Sequence, residues 1–452
     1  MRWRQLLLIA LLLPVGCRKL LDPGAPVDRM TNSSTFNTDE TAAAVLTGLY
    51  YNMSAGGGFM GSNGISYLCG LSADEFLLQQ EDELSLSLYH NHVQPTNVPF
   101  WRVLYKYIYD VNLAIEGLSA SKRLTPGIKR QLIGEAKFVR AFCYFYLVNL
   151  FGNVPLVMTT DYKVNASMYR TPAPQIYQQL MADLQDALQL LRVDYLQADI
   201  VSVTSERVRP NKWAAMALLA RVQLYRENWS AAMTAATAVI DNRGVYDTVS
   251  LQQVFGKESR EAIWQLQPVD KSFIEEALLF TLQRPVHISA TLLQAFENED
   301  LRKIYWLGGT AGRFPNKYQY TENVASAKEY LVLLRLAEQY LIRAEARLHT
   351  GDINGARADL NVIRTRARLR TVTTADMGLL MEMIQQERRI ELFSEWGHRW
   401  LDLKRRHAVD AIMPAAARVK GGSWEAYEAL YPIPHSERLL NGNLSQNEGY
   451  FH

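Results

Sequence analysis

The stretches ALLARVQLYRENWSAAMTAATAVI (residues 217–240) and LIRAEARLHTGDINGARADLNVIR (residues 341–364) are two copies of one pattern. At an offset of 124 residues, Ala220 falls on Ala344, Leu224 on Leu348, Trp229 on Ile353, Ala232 on Ala356 and Val239 on Ile363. Each copy reads as a helix, a short polar turn and a second helix, with small residues where the two helices touch. Small residues at fixed helical spacing allow close approach, and stacked helix pairs bury a core that one pair alone lacks. The pattern predicts a mainly all-α chain built on degenerate tetratricopeptide-like helix pairs. Further pairs are expected between Thr38 and Leu191.

The flanking sequence agrees. In TPGIKRQLIGEAKFVRAFCYFYLVNLFGNVP, Thr125 stands at a cap position, Pro126 suits the first helical position, and Gly152 and Pro155 stop the helix. Apolar residues fall on most of its sides, as in a helix surrounded by others. Thr171-Pro172 opens another helix through IYQQLMADLQDALQLL. Between the repeats, from about Val245 to Ala327, helical period is lost and Gly, Pro, Asn and aromatic residues accumulate. SAGGGFMGSNG, from Ser54, reads as a flexible loop. Irregular loops on a rigid scaffold are where binding function concentrates. The chain divides on this reading into 1–16, a signal peptide; 17–240, an N-terminal helical region; 241–327, an irregular insertion; and 328–452, a C-terminal helical region.

The first residues have the order of an export signal: Arg2 and Arg4, then unbroken apolar sequence from Leu6 to Leu13. The run is shorter than the ~20 residues that span a bilayer. It ends at Gly16-Cys17, which resembles a bacterial lipobox with Pro14 in the place usually held by Leu. Cys17 is therefore expected to be lipidated. Removing Arg2 and Arg4 from 48 basic residues leaves 46 against 46 acidic ones. A neutral chain lacks the electrostatic footprint of nucleic-acid binding. Cys69 and Cys143 are the only other cysteines, too few for a disulfide framework.

Motifs for catalysis are missing. There is no G-x-x-x-x-G-K-[ST], no G-x-S-x-G and no H-E-x-x-H. His90 and His92 have no third ligand nearby in sequence, and neither a metal nor a cofactor is expected. Asp74-Glu75 and Glu81-Asp82-Glu83 form an acidic cluster that reads as solvated loop more readily than as the paired carboxylates of glycoside hydrolysis. In QERRIELFSEWGHRWLDLKRR, from Gln386, residues Glu387, Arg388, Glu391, Glu395, Arg399, Asp402 and Arg405 recur at helical steps among Trp396, Trp400 and Leu403. This spacing predicts a partly buried ion-pair network that ties helices together.

A dozen segments, in order from end to end, resemble the SusD/RagB family of outer-membrane nutrient-binding lipoproteins. They include CRKLLD, FWRVLYKYIYDVNLAIE from Phe100, EAKFVRAFCYFYLVNLFGNVPLV from Glu135, NKYQY from Asn316, ERRIELFSEWGHRWLDLKR from Glu387 and YPIPHSE near the end. Trp396-Gly397 departs from the Glu-Gly usual in the family. The resemblance implies a helical scaffold with an irregular ligand-binding side. It also implies a non-enzymatic cell-surface lipoprotein that captures oligosaccharides, or in some branches peptides. Its implied partner is a SusC-like TonB-dependent barrel in the outer membrane, to which it passes the ligand. Arg18 and Lys19 follow Cys17, where many relatives carry acidic residues.

Sugar faces present C–H groups that pack on aromatic rings, while amide and charged groups bond the hydroxyls. On loop location and residue type, the candidate ligand residues are Trp306, Tyr305, Tyr89, Asn91, Tyr67 and Glu75, with Phe59 and Asn97 beside them. Trp306 leads this set.

Overall fold

The computed structural model describes residues 35–450 except 56–57, 62–63 and 311–312. The signal segment and Cys17 lie outside the described residues. Helices dominate. The scaffold is formed, in chain order, by α1 (Asp39–Ser54), α2 (Ile65–Ser72), α3 (Trp101–Ala120), α4 (Pro126–Phe151), α5 (Ala173–Leu190), α6 (Lys212–Tyr225), α7 (Trp229–Ile240), α8 (Leu336–His349), α9 (Ile353–Arg366), α10 (Met377–Glu391) and α11 (His398–Arg405). From α3 to α9, each helix packs on the next.

The two sequence repeats are α6–α7 and α8–α9, and α7 packs directly on α8. The 95 residues between Ile240 and Leu336 therefore leave the helical stack and return to it at the adjacent position. The matched positions Ala220 and Ala344, Leu224 and Leu348, Ala232 and Ala356, and Val239 and Ile363 are all buried. Ala220, Ala232, Ala235 and Ala236 meet Ile342 and Ala346 in one apolar cluster across the repeat junction. Trp229 stacks on His349 with ring centroids 3.8 Å apart.

Helix α4 is the axis of the main core. From Phe138 to Phe151 only Asn149 is not buried. Phe138 and Phe142 pack edge-on against Trp264, and Phe142 also meets Trp396. Pro126 starts the helix and Gly152 ends it at φ +72°, a left-handed turn that glycine adopts at little cost. The Thr125 side chain makes no cap bond. Its backbone N–H instead donates to Asp39 Oδ1 at 2.9 Å, joining the start of α4 to that of α1.

Strands are short and antiparallel: β1 (Phe76–Leu78) with β3 (Val286–Ile288), and β2 (Ala262–Leu266) with β4 (Leu331–Arg335). Both β2 and β4 are buried throughout. The irregular insertion is thus pinned to the core by β2 and β4, while its intervening loops reach the surface. Cys69 and Cys143 are buried free thiols, and burial pushes the Cys69 thiol up to about 12. Among the described residues, no helix is long and apolar enough to cross a membrane.

Candidate functional site

The charged C-terminal segment is interior. Arg335 reaches Glu261 at 3.0 Å, Glu391 at 2.6 Å and Glu395 at 2.8 Å. Arg302 reaches Asp300, Glu387 and Glu391 within 2.9 Å. Arg366 pairs with Glu261 and Glu391, and Lys317 with Glu395. Burial alone raises a carboxylate's pKa, but at Glu391 it is outweighed by Arg366, Arg335 and Arg302, which hold the group well below its ordinary range. These carboxylates are neutralised by fixed guanidinium forks and lie away from solvent. The network joins β4, α9, α10 and the insertion. It is a structural clamp, as the spacing in the sequence predicts.

Asp74 and Glu75, expected as solvated loop, are both buried, and Asp74 is neutralised in the same way. Arg399 clamps Asp74 through two bonds of 2.6 and 2.8 Å, and Arg389 adds a third at 2.9 Å. Burial opposes ionisation of Asp74, but the bonds from Arg399 and the two positive charges bring it down to about 2. Glu75 Oε1 has no hydrogen-bond partner, and burial, then the Asp74 charge, pushes its carboxyl up to about 8. Asp82 instead caps the helix Glu83–Tyr89, accepting from the backbone of Ser85. His92 faces Glu428 at 3.8 Å, and no group of three potential metal ligands is found among the described residues.

Most of the aromatic candidates are packed inside the protein. Trp306 is 1% exposed, its indole N–H donates to Leu251 O at 3.0 Å, and Lys317 lies 4.7 Å from its ring centre. It offers no face to a sugar. Phe59 turns inward from the Gly-rich loop against Phe100, Phe142 and Tyr146. Tyr67 is buried and donates to Ser85 Oγ. Tyr89 is buried under Lys420, and buried Asn91 donates to the carbonyl of Ser72. The Trp306 indole, the Tyr67 hydroxyl and the Asn91 amide nitrogen are taken up by internal bonds, while the buried Asn91 Oδ1 has no partner; their positions in irregular sequence do not reveal this. Tyr305 alone among the aromatic candidates remains partly exposed, next to Gln319, which donates to its carbonyl at 3.1 Å. Asn97 is also partly exposed.

The structure exposes a different face of the insertion. Tyr51, on the last turn of α1, is 46% exposed, as is Tyr320. Segment 267–276 runs between their neighbourhoods. At one side Ser54 Oγ donates to Gln267 O at 2.5 Å and the Tyr51 hydroxyl donates to Asp270 Oδ2 at 2.9 Å. At the other, the N–H of Ser272 donates to Asn323 Oδ1 at 3.0 Å and Val324 N–H donates to Ser272 Oγ at 2.6 Å. Lys271 pairs with Glu275 and lies 5.2 Å from the ring centre of Phe273. A small recess opens here, lined by Ser54, Met60, Pro268, Phe273, Glu276 and Leu331. Burial pushes the Glu276 carboxyl up to about 8, so it holds its proton at neutral pH and can donate.

This combination of exposed aromatic rings, an amide, charged groups and an apolar recess suits a polyhydroxylated ligand. The sequence carried a signal for one member. In NKYQY, Tyr318 is buried and Tyr320 exposed, although residues two apart share a face of an extended segment, so the spacing did not mark Tyr320. On α1 the adjacent Tyr50 is buried and Tyr51 exposed, as helical phase requires.

Known proteins place this fold. A family model described as "Starch-binding associating with outer membrane" matches residues 25–224, and one described as "SusD family" matches residues 302–450. SusD-like protein P25 of Formosa agariphila is 27% identical over 37% of this chain, and the match spans 31% of that relative's length. SusD-like protein P38 of the same organism is 23% identical over 80% of this chain and 82% of its own. A solved structure described as a laminarin binding SusD-like protein superposes with a TM-score of 0.72 at 21% identity, covering 90% of this chain and 99% of that one. With a family model matched at each end and the same helical architecture between them, the chain belongs to the SusD/RagB family.

Proposed function

We propose that the protein binds nutrient oligosaccharides without turning them over, at the face between Tyr51 and Tyr320. The observation that carries this reading is the half-exposed Tyr51, bonded to Asp270 in the segment whose neighbours Pro268 and Phe273 line the recess, with half-exposed Tyr320 three residues before Asn323, which accepts from Ser272 of the same segment. Region 241–327 acts as the ligand-binding insertion, and Tyr305 with Asn323 supplies further contacts. The starch-binding description of the matched family model and the laminarin-binding relative support a glycan as ligand. Lipidation at Cys17 tethers the protein to the outer membrane with its ligand face outward. From there it passes ligand to a SusC-like TonB-dependent barrel, the role the family resemblance implies.

The test is electrophoresis of residues 18–452 through native gels cast with a panel of polysaccharides, with released reducing sugar assayed in the same mixtures. Retardation by one polymer without hydrolysis supports the reading. Released sugar contradicts it, and retardation by none turns the search to peptides. For the tether, Cys17→Ala is expected to move the protein out of the membrane fraction. Its persistence there contradicts lipid anchoring.

A further inference from the structure

Five arginines of α10 and α11 and the turn after α11 gather around one recess: Arg388, Arg389, Arg399, Arg405 and Arg406, with Asp402 among them. Arg388 shares Asp402 with Arg405, at 3.1 and 2.6 Å. Arg405 also forks onto Glu345 at 2.7 and 2.8 Å. Arg399 and Arg389 share Asp74. Arg406 donates to the amide oxygen of Gln385, a neutral partner. Five guanidinium groups thus face three carboxylates, Asp402, Glu345 and Asp74, leaving two positive charges in excess.

The bonding is also incomplete. Arg388 is 2% exposed, yet its Nη1 has no hydrogen-bond partner, and neither does the buried Nε of Arg389. A buried guanidinium donor without a partner is costly and uncommon. Both residues line the recess. Unpaired donors and uncompensated charge at one place are what an anion corrects, because guanidinium groups bind carboxylates and oxyanions through several charge-assisted bonds at once. Burial lowers the pKa of Arg389 and of Arg406, a cost to their charged forms that an added negative charge relieves.

We propose that this recess binds one small anion, a carboxylate or an inorganic oxyanion, through Arg388, Arg389 and Arg406. The site is separate from the glycan face and does not depend on that reading. The test uses residues 18–452 at constant ionic strength, with sodium fluoride exchanged for sodium sulfate or acetate in the low millimolar range, where general salt effects on stability are small. A saturable rise in melting temperature is expected, with its midpoint moved about tenfold to higher concentration in Arg406→Gln, a residue at the rim. A tighter midpoint for sulfate assigns a free oxyanion, and a tighter one for acetate assigns a protein carboxylate. An unsaturable rise, or the same midpoint in Arg406→Gln, overturns the proposal. Crystals of the unaltered chain grown with bromide provide a check that needs no variant. An anomalous peak beside Arg388 and Arg389 supports the site, and its absence at full bromide exchange counts against it.

Discussion

The hydroxyl of Tyr51 donates to Asp270, 219 residues further along the chain, at 2.9 Å. This bond joins the end of a scaffold helix to the irregular insertion and orients a ring that is 46% exposed. A tyrosine oriented at its tip can present its face to a sugar with little loss of side-chain freedom on binding. Tyr51→Ala and Tyr320→Ala are each expected to weaken glycan binding about tenfold, or ~1.4 kcal/mol. The melting temperature should barely move, since both side chains are half exposed. Affinity electrophoresis and thermal unfolding on the same samples check both parts.

Trp306 is expected to behave in the opposite way. Its ring is enclosed by Phe255 and Lys317. Trp306→Ala should cost ~3–5 kcal/mol of stability, the range for emptying a large buried ring. Urea unfolding measures this. Glycan affinity of the folded fraction should stay within a factor of about two.

The buried ionic clamp predicts an asymmetry. Arg335 holds Glu261, Glu391 and Glu395 together. Arg335→Met removes the one cation shared by all three buried carboxylates, leaving Arg366, Arg302 and Lys317 to hold them, and a loss of ~3–5 kcal/mol is expected. The exposed pair Arg260–Asp247, at 3.7 Å, serves as the comparison. Arg260→Met should change stability by less than about 1 kcal/mol.

Stability should fall as pH rises from about 5 to about 7. Glu75 and Glu276 are raised by burial to about 8 in the folded chain, against ~4.3 when unfolded. Across that window the folded state holds protons that the unfolded state has released, so unfolding becomes easier with each step in pH. Above about 7 the buried Lys404 and Lys420, each pushed down to about 7 by burial, act in the other direction, because there the unfolded state binds more protons. The double variant Glu75→Gln/Glu276→Gln should flatten the slope between pH 5 and 7, read from denaturation midpoints. An unchanged slope in the variant contradicts this assignment.

Repetition and charge spacing were legible in the sequence because both follow helical geometry. Ala220, Leu224 and Val239 and their partners 124 residues on are buried where the pattern puts them. Glu387, Glu391 and Glu395 recur every four residues and all enter the ionic core. Ligand residues were less legible, because residue type and loop location do not report which way a side chain turns. Phe59 and Trp306 lie in irregular stretches yet fill the core, since the loops here are laid over the scaffold and packed by their own aromatics. Trp396, buried at φ +49° with its indole N–H donating to Val332 O at 2.6 Å, is a further case. The Glu-Gly usual in the family is replaced there by a ring that binds β4. Asp74 was misread for a different reason: its partners Arg389 and Arg399 lie more than 300 residues away, beyond any local pattern.

The most direct test of the glycan-binding account is migration of residues 18–452 and of its Tyr51→Ala/Tyr320→Ala double variant in gels containing the polysaccharide that retards the unaltered chain. The account predicts that the double variant migrates as it does in a sugar-free gel while keeping its melting temperature. Equal retardation of the two proteins would contradict it and move the ligand site away from the face between Tyr51 and Tyr320.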